Sequence, residues 1–223
     1  MKKILLLMTC AVGMSCSAFA DPCGTDGTSL ADYITQGTCT LTGTDLTFSG
    51  FSYSVSGGTI PIPSSDVTVV PTISGDEAGF VFNAPWVALS PDLLDVDIDY
   101  TVSCGGCEID DWVLSMGGVA LQGDAFANVG ESSPQVSAPL AVGYTATSSI
   151  PTDSATFPPV GSLTVDKDLT IYGGSTQGTI ISKVSTLTNL FSTTSTVVPE
   201  PSLTILCAGL LGLLPIARRK FIR

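Results

Sequence analysis

The sequence predicts an all-β fold, an antiparallel β-sandwich of jelly-roll-like character, and three observations carry that expectation. Apolar residues alternate with small polar ones at the period of half-buried strands. Glycine and proline, 23 and 14 among 223 residues, break these runs at short intervals. Strong helical patterns are scarce. Short strands with frequent turns belong to sandwiches and barrels, and no internal repeat is visible to suggest a propeller or solenoid.

The alternation can be followed along the chain. Phe51, Tyr53 and Val55 alternate, then Val67 and Val69, Phe80 and Phe82, and Val96, Ile98, Tyr100 and Val102. Trp112, Leu114 and Met116 follow, then Val142 and Tyr144, Leu163 and Val165, and Leu169 and Ile171. Leu46 and Phe48 are out of phase with Phe51 and Tyr53, so a bulge or bend is expected at Ser49-Gly50. Ile109 and Trp112 have opposite parity, which calls for another near Asp110-Asp111. One short helix fits Ser29 to Ile34, with Thr28 or Ser29 as its cap. Pro134, Pro139, Pro151, Pro158 and Pro159 point to edge strands joined by long connections.

The two ends differ from the body. Lys2 and Lys3 precede an apolar run from Ile4 to Val12, and Ala18-Phe19-Ala20 presents small residues where a signal peptidase reads. An N-terminal signal helix cleaved between Ala20 and Asp21 is expected. At the other end Leu203 to Ala217 is apolar, and Arg218, Arg219, Lys220 and Arg223 follow it. As a transmembrane helix it would be short, about 22 Å against a hydrocarbon core of about 30 Å. The basic residues at both ends favour the cytoplasmic side and leave everything between outside the inner membrane.

Before the apolar stretch stands Val198-Pro199-Glu200-Pro201-Ser202, where two prolines keep the chain extended and open to a protease. Pro-Glu-Pro, a short apolar helix and an Arg-rich terminus, in that order, resemble the PEP-CTERM sorting signal of Gram-negative bacteria. The resemblance covers 198–223 and implies processing by an exosortase, a membrane cysteine peptidase, in a setting of exopolysaccharide production. By position, Pro199, Glu200 and Pro201 would be the recognition residues. The basic cluster departs from the pattern in being interrupted by Phe221 and Ile222. The run Leu30-Ala31-Asp32-Tyr33-Ile34, with Cys39 and Leu46 to Phe51 after it, is similar to openings of other proteins bearing this tail. The chain thus divides into a signal peptide at 1–20, an all-β exported domain at 21–191, a linker at 192–198 and a sorting tail at 199–223.

All twenty acidic residues lie in 21–200, where only Lys167 and Lys183 are basic, so that part carries −18 against −12 for the whole chain. Such a charge argues against nucleic acid and anionic lipid as partners. Four of seven cysteines, Cys23, Cys39, Cys104 and Cys107, fall in the exported domain. In an oxidising compartment they should form two disulfides. Of three possible pairings, closeness in sequence favours Cys23–Cys39 with Cys104–Cys107, the second across a two-residue Gly-Gly hairpin turn.

No cofactor is expected. Asp95, Asp97 and Asp99 share one face of a strand and are a calcium candidate by ligand chemistry, although Tyr100 and Gly106 stand where an EF-hand needs glycine and glutamate. Histidine is absent, which excludes imidazole bases, His-based triads and His zinc sites. A glycosidase would need a carboxylate pair, with Glu108, Asp110, Asp111 and Glu131 as the available members; the expectation is no enzyme. A carbohydrate-binding surface would need exposed aromatics among Trp86, Trp112, Tyr144 and Tyr172. The leading expectation is a structural protein, held at the inner membrane before processing by signal peptidase and exosortase. It would then pass to the cell surface or extracellular matrix, with exopolysaccharide as its neighbour.

Overall fold

The computed structural model describes residues 21–24, 27–58, 60–119, 121–175 and 181–195. The expected signal at 1–20, including Ala18 and Ala20, and the tail with Pro199, Glu200 and Pro201 lie outside the described residues. Among the described residues no helix is long and apolar enough to cross a membrane.

Two antiparallel sheets face each other. The seven-stranded sheet contains β2 (Thr38–Thr40), β3 (Leu46–Gly57), β6 (Leu93–Cys104), β8 (Phe126–Ser133), β9 (Val136–Thr145), β10 (Ser149–Ile150) and β12 (Ser162–Tyr172). Its order is β10-β9-β8-β12-β6-β3-β2. The six-stranded sheet contains β1 (Thr28–Ser29), β4 (Thr68–Ser74), β5 (Glu77–Leu89), β7 (Cys107–Gly117), β11 (Thr152–Val160) and β13 (Ile181–Ser195). Its order is β1-β4-β5-β13-β7-β11. The alternation read from the sequence sets which side chains enter the space between them. Phe48, Phe80, Phe82, Trp86, Val96, Ile98, Trp112, Leu114, Val165 and Leu169 are all sealed from solvent. Phe48, Phe51, Phe80, Phe82, Tyr100 and Phe191 form one aromatic cluster, with ring centroids from 4.4 Å (Phe48–Phe80) to 6.5 Å (Tyr100–Phe191) apart. Such contacts add to the gain from buried area.

Helix α1 (Leu30–Gln36) forms where the sequence places a cap. Ser29 Oγ accepts from the Asp32 amide and Asp32 Oδ2 accepts from the Ser29 amide, each at 3.2 Å, which satisfies two otherwise orphaned donors. Gly37, at φ 78°, ends the helix in a conformation that side-chain-bearing residues avoid. The helix turns Leu30 and Tyr33 inward, and Tyr33 packs on Phe51 and Phe80 at 5.3 and 5.4 Å.

Both expected irregularities are present. The β3–β6 register shifts between Ser49 and Ser52, and the β13–β7 register shifts opposite Asp110, which lets Ile109 and Trp112 both face inward. Three expectations need correction. The proline-rich segment does supply edge strands, β9 with β10 on one sheet and β11 on the other, but its connections are short. Pro151 alone joins β10 to β11, and Gly161 alone joins β11 to β12. Cys104-Gly105-Gly106-Cys107 is not a hairpin within a sheet, because β6 and β7 belong to different sheets and the glycines carry the chain across. Finally, β13 continues through Ser192 to Ser195, into the expected linker, because Ser192 to Ser195 keep pairing with β7 as far as Cys107.

Candidate functional site

Two polar constellations stand out, one on the outside of the seven-stranded sheet and one inside the sandwich. The outer one follows from register. On β6 the residues between Val96, Ile98 and Tyr100 must point outward, and on β12 those between Val165 and Leu169 that flank position 167 do the same. Pairing sets Asp99 opposite Asp166, Asp97 opposite Asp168 and Asp95 opposite Thr170. β3 adds Ser52 and Ser54, whose hydroxyls donate to Asp99 and Asp97 at 2.7 Å each. Burial, and then the charges of Asp99, Asp97 and Asp168, raise the Asp166 pKa above the ordinary carboxylate value. Burial and the adjoining Asp95 do the same for Asp168. Beside this acidic patch lies a groove of about 500 Å³, lined by Asn128, Gly130, Ala141, Gly143, Asp168 and Thr170 among others.

The inner constellation was not anticipated. Lys167, Glu131 and Asn189 are buried, on β12, β8 and β13 respectively. Lys167 and Glu131 stand directly opposite in the β12–β8 ladder, while Asn189 reaches them from the other sheet. Lys167 Nζ donates to Glu131 Oε2, forming a salt bridge with both side chains fully buried, and to Asn189 Oδ1 at 3.3 Å. Asn189 Nδ2 donates to Glu131 Oε1 at 2.9 Å and to the Val113 carbonyl at 3.1 Å. Tyr100 donates its hydroxyl to Asn189 Oδ1. Every member is therefore satisfied, which a buried polar network requires. Burial pushes the Lys167 ammonium down and the Glu131 carboxyl up, each against the pull of the other. Both shifts favour the uncharged forms, amine and acid. Burial and the Glu131 charge push the Tyr100 hydroxyl well above its ordinary value.

The sequence did carry a signal for this cluster. Position 167 is in phase with Leu163, Val165, Leu169 and Ile171, position 131 with Ala127 and Val129, and position 189 with Leu187 and Phe191. A charged or amide side chain at an inward position is the informative exception to binary patterning.

The expected site residues are distributed as follows. Cys23 and Cys39 form a disulfide with Cα atoms 4.7 Å apart. Cys104 and Cys107 also come together, with Cα atoms 5.3 Å apart across the inter-sheet turn. Asp95, Asp97 and Asp99 share the outer face as read, but they are strung along the strand at about 6.7 Å between alternate residues. Among the described residues no group of three or more acidic or cysteine side chains is arranged to hold a metal ion. Glu131 is withdrawn from any exposed carboxylate pair by its burial against Lys167. Asp111 is engaged by the backbone amide of Ser192 at 3.1 Å.

The aromatics do not form a platform. Trp86 and Trp112 are fully buried, and Trp112 Nε1 donates inward to the Ala138 carbonyl at 3.1 Å. Tyr144 is half-buried and donates to the Met116 carbonyl at 3.2 Å, and Tyr172 packs on Phe126 at 5.5 Å.

Neither a family model nor a curated relative matches the chain. Among solved structures it is similar to TmCBM61 in complex with β-1,4-galactotriose, at 10% identity over 61% of this chain and 86% of that one, with a TM-score of 0.28. It is also similar to the enzymatically active domain of tailspike protein 4 of bacteriophage CBA120, at 11% identity over 65% of this chain and 19% of that one, with a TM-score of 0.30. Likenesses this slight carry no argument, and the sandwich rests on its own strand pairing.

Proposed function

We propose that the chain is the precursor of an exported structural protein, led out by the segment 1–20 and sorted through Pro199-Glu200-Pro201 by an exosortase. Its sandwich would then be held at the cell surface or in an exopolysaccharide matrix. The observation that carries this reading is the disulfide-tied start of the sandwich, just after the expected signal cleavage. Asp21, the first residue after the expected signal cleavage, already accepts a hydrogen bond from the Thr40 amide at 2.9 Å. Two residues later Cys23 is tied to Cys39, a bond suited to an oxidising compartment. At the other end the described part of β13 runs to Ser195 and still pairs with β7 there. The described core residues, from Cys23 to Phe191, lie between the two expected cuts.

The test is mass spectrometry of the protein from its host, in cells with and without the exosortase. The expected product begins at Asp21, lacks the residues after the Pro-Glu-Pro motif, and leaves the inner membrane only when the peptidase is present. A mature chain still carrying Arg223 would overturn the sorting reading.

A second reading has one observation of its own. The outer groove is lined by the small residues Gly130, Ala141 and Gly143 and by Asn128, Asp168 and Thr170, groups that hydrogen-bond hydroxyls. It could hold the edge of a sugar chain without aromatic stacking. A glycan array tests it, with Gly143→Trp to fill the groove; binding that survives that change would remove the groove from the account.

A further inference from the structure

The inner constellation brings an amine, a carboxamide and a carboxyl group together, from three strands in two sheets and out of reach of water. We propose that Lys167 and Asn189 become joined by an intramolecular amide bond across the sandwich, formed by the folded chain itself with Glu131 carrying the proton and ammonia as the leaving group. Nothing in this depends on the surface reading.

The chemistry follows from positions already described. An amine must be uncharged to attack, and Lys167 Nζ lies against Glu131, which can take its proton in a setting that favours both neutral forms. Nζ, 3.3 Å from Asn189 Oδ1, attacks the Asn189 Cγ atom. Negative charge then develops on Oδ1, where the Tyr100 hydroxyl already donates. Glu131 next delivers the proton to Asn189 Nδ2, which it already contacts at 2.9 Å, and takes the second proton from Nζ as the amide forms. The Cγ–Nδ2 bond breaks and ammonia departs. One Nζ–Cγ bond forms, one Cγ–Nδ2 bond breaks, Glu131 returns to its starting state, and no oxidant or reductant is needed. Fixing the reacting groups in one another's company replaces the bimolecular encounter that makes amide exchange slow in water.

Asn189 rather than Glu131 is the acyl donor for a chemical reason. To carry the proton Glu131 must pass through its carboxylate, and a carboxylate is a poor electrophile. The amide carbonyl stays electrophilic whatever the protonation state of its neighbours, and here its oxygen accepts from the Tyr100 hydroxyl. The link would fasten β12 of one sheet to β13 of the other.

The test uses the whole protein from its host, reduced, alkylated, unfolded and digested with trypsin. Lys167 and Lys183 are the only trypsin sites between Lys3 and Arg218. Trypsin does not cut after a lysine whose amine is acylated. The expected result is cleavage after Lys183 alone, with the pieces on either side still joined and the joined species lighter by one ammonia. Free release of the 168–183 peptide, with Asn189 unmodified, would overturn the proposal. So would separate pieces on either side of Lys183, with the N-terminal one uncut after Lys167 and lighter by one water, which would make Glu131 the partner. Glu131→Gln should restore cleavage after Lys167, and a link that still forms in that variant would remove Glu131 from the mechanism. Should Glu131→Gln fail to fold, the wild-type digest decides alone. Asn189→Ala should restore cleavage after Lys167 and leave the pieces on either side of Lys183 separate.

Discussion

Asparagine in place of Asp97 and Asp99 should make the sandwich more stable. Each aspartate stands directly opposite another across the β6–β12 ladder, Asp97 facing Asp168 and Asp99 facing Asp166. Like charges at opposed antiparallel positions destabilise a sheet by about 0.2–1 kcal/mol per pair, so removing two pairs should return roughly 0.4–2 kcal/mol. The serine hydroxyls that donate to these carboxylates can donate equally to an asparagine Oδ1, so the hydrogen bonds from Ser52 and Ser54 survive. For a domain of this size each kcal/mol moves the melting temperature by about 2–4 °C, which gives a gain of about 1–8 °C.

Thermal melts of wild type and the Asp97→Asn/Asp99→Asn variant at low ionic strength are the assay. The gain should shrink in about 1 M salt, where the Debye length falls to about 3 Å. It should shrink with acid as well. Asp166 and Asp168 have folded pKa values raised above the ordinary one. A carboxyl of that kind holds its proton more tightly when folded. Its stabilising effect is therefore full below the unfolded pKa, about 3.9, and is lost as pH rises through the folded value. Wild type should thus approach the variant between pH 7 and pH 4. No gain at low salt and pH 7, or a difference that widens on acidification, would refute the reasoning.

Three further outcomes follow from single contacts. Removing the Cys23–Cys39 bond by a double serine substitution opens a loop with a sequence separation of 16 and should cost about 3 kcal/mol, read as a lower urea midpoint. Ser29→Ala removes the capping box of α1 and should cost about 1 kcal/mol in the same assay, whereas Ser29→Thr, which keeps the hydroxyl, should stay within a few tenths. Gly79→Ala would place a methyl group 2.1 Å from the Asn189 carbonyl oxygen of the neighbouring strand, and should cost about 1–3 kcal/mol or more in overpacking.

What was legible in the sequence was whatever obeys a period. Val96 to Val102 and Trp112 to Met116 announce their strands and inward faces, and breaks of parity at Ser49-Gly50 and Asp110-Asp111 locate both bulges. Ser29 and Asp32 announce a helix because capping chemistry is local. Partner strands were not legible, since pairing is decided by long-range packing. The turn after Cys104 reads as a hairpin from its two glycines, and only the surrounding sheets show that it crosses between layers. The strand β13 was hidden in part by its serines and threonines, which read as linker although Leu187, Asn189 and Phe191 keep the inward phase. The outer aspartates were half legible. Asp95, Asp97 and Asp99 could be assigned to one face of one strand, but Asp166 and Asp168 join them only through register.

The placement of the two lysines of the body bears on the inner constellation. The outer face holds aspartates that a lysine could neutralise, and Lys183 is exposed while Lys167 is sealed inside. A surface ion pair contributes at most about 1 kcal/mol, so little stability is lost by leaving Lys167 off the surface. Inside, however, both charges of the Lys167–Glu131 pair must lose their water, and well-packed apolar residues in their place are often as stable or more so. Noncovalent stability alone is therefore a poor reason for an amine, an acid and an amide to meet between the sheets. Specificity of packing accounts for a satisfied network, yet it does not require a nucleophile beside a carbonyl that accepts from the Tyr100 hydroxyl. Bond formation requires that pairing, together with a proton carrier on the leaving nitrogen, and Glu131 occupies that place. The tryptic digest distinguishes the two accounts directly, because a packing network leaves Lys167 open to the protease once the chain is unfolded and a covalent link does not.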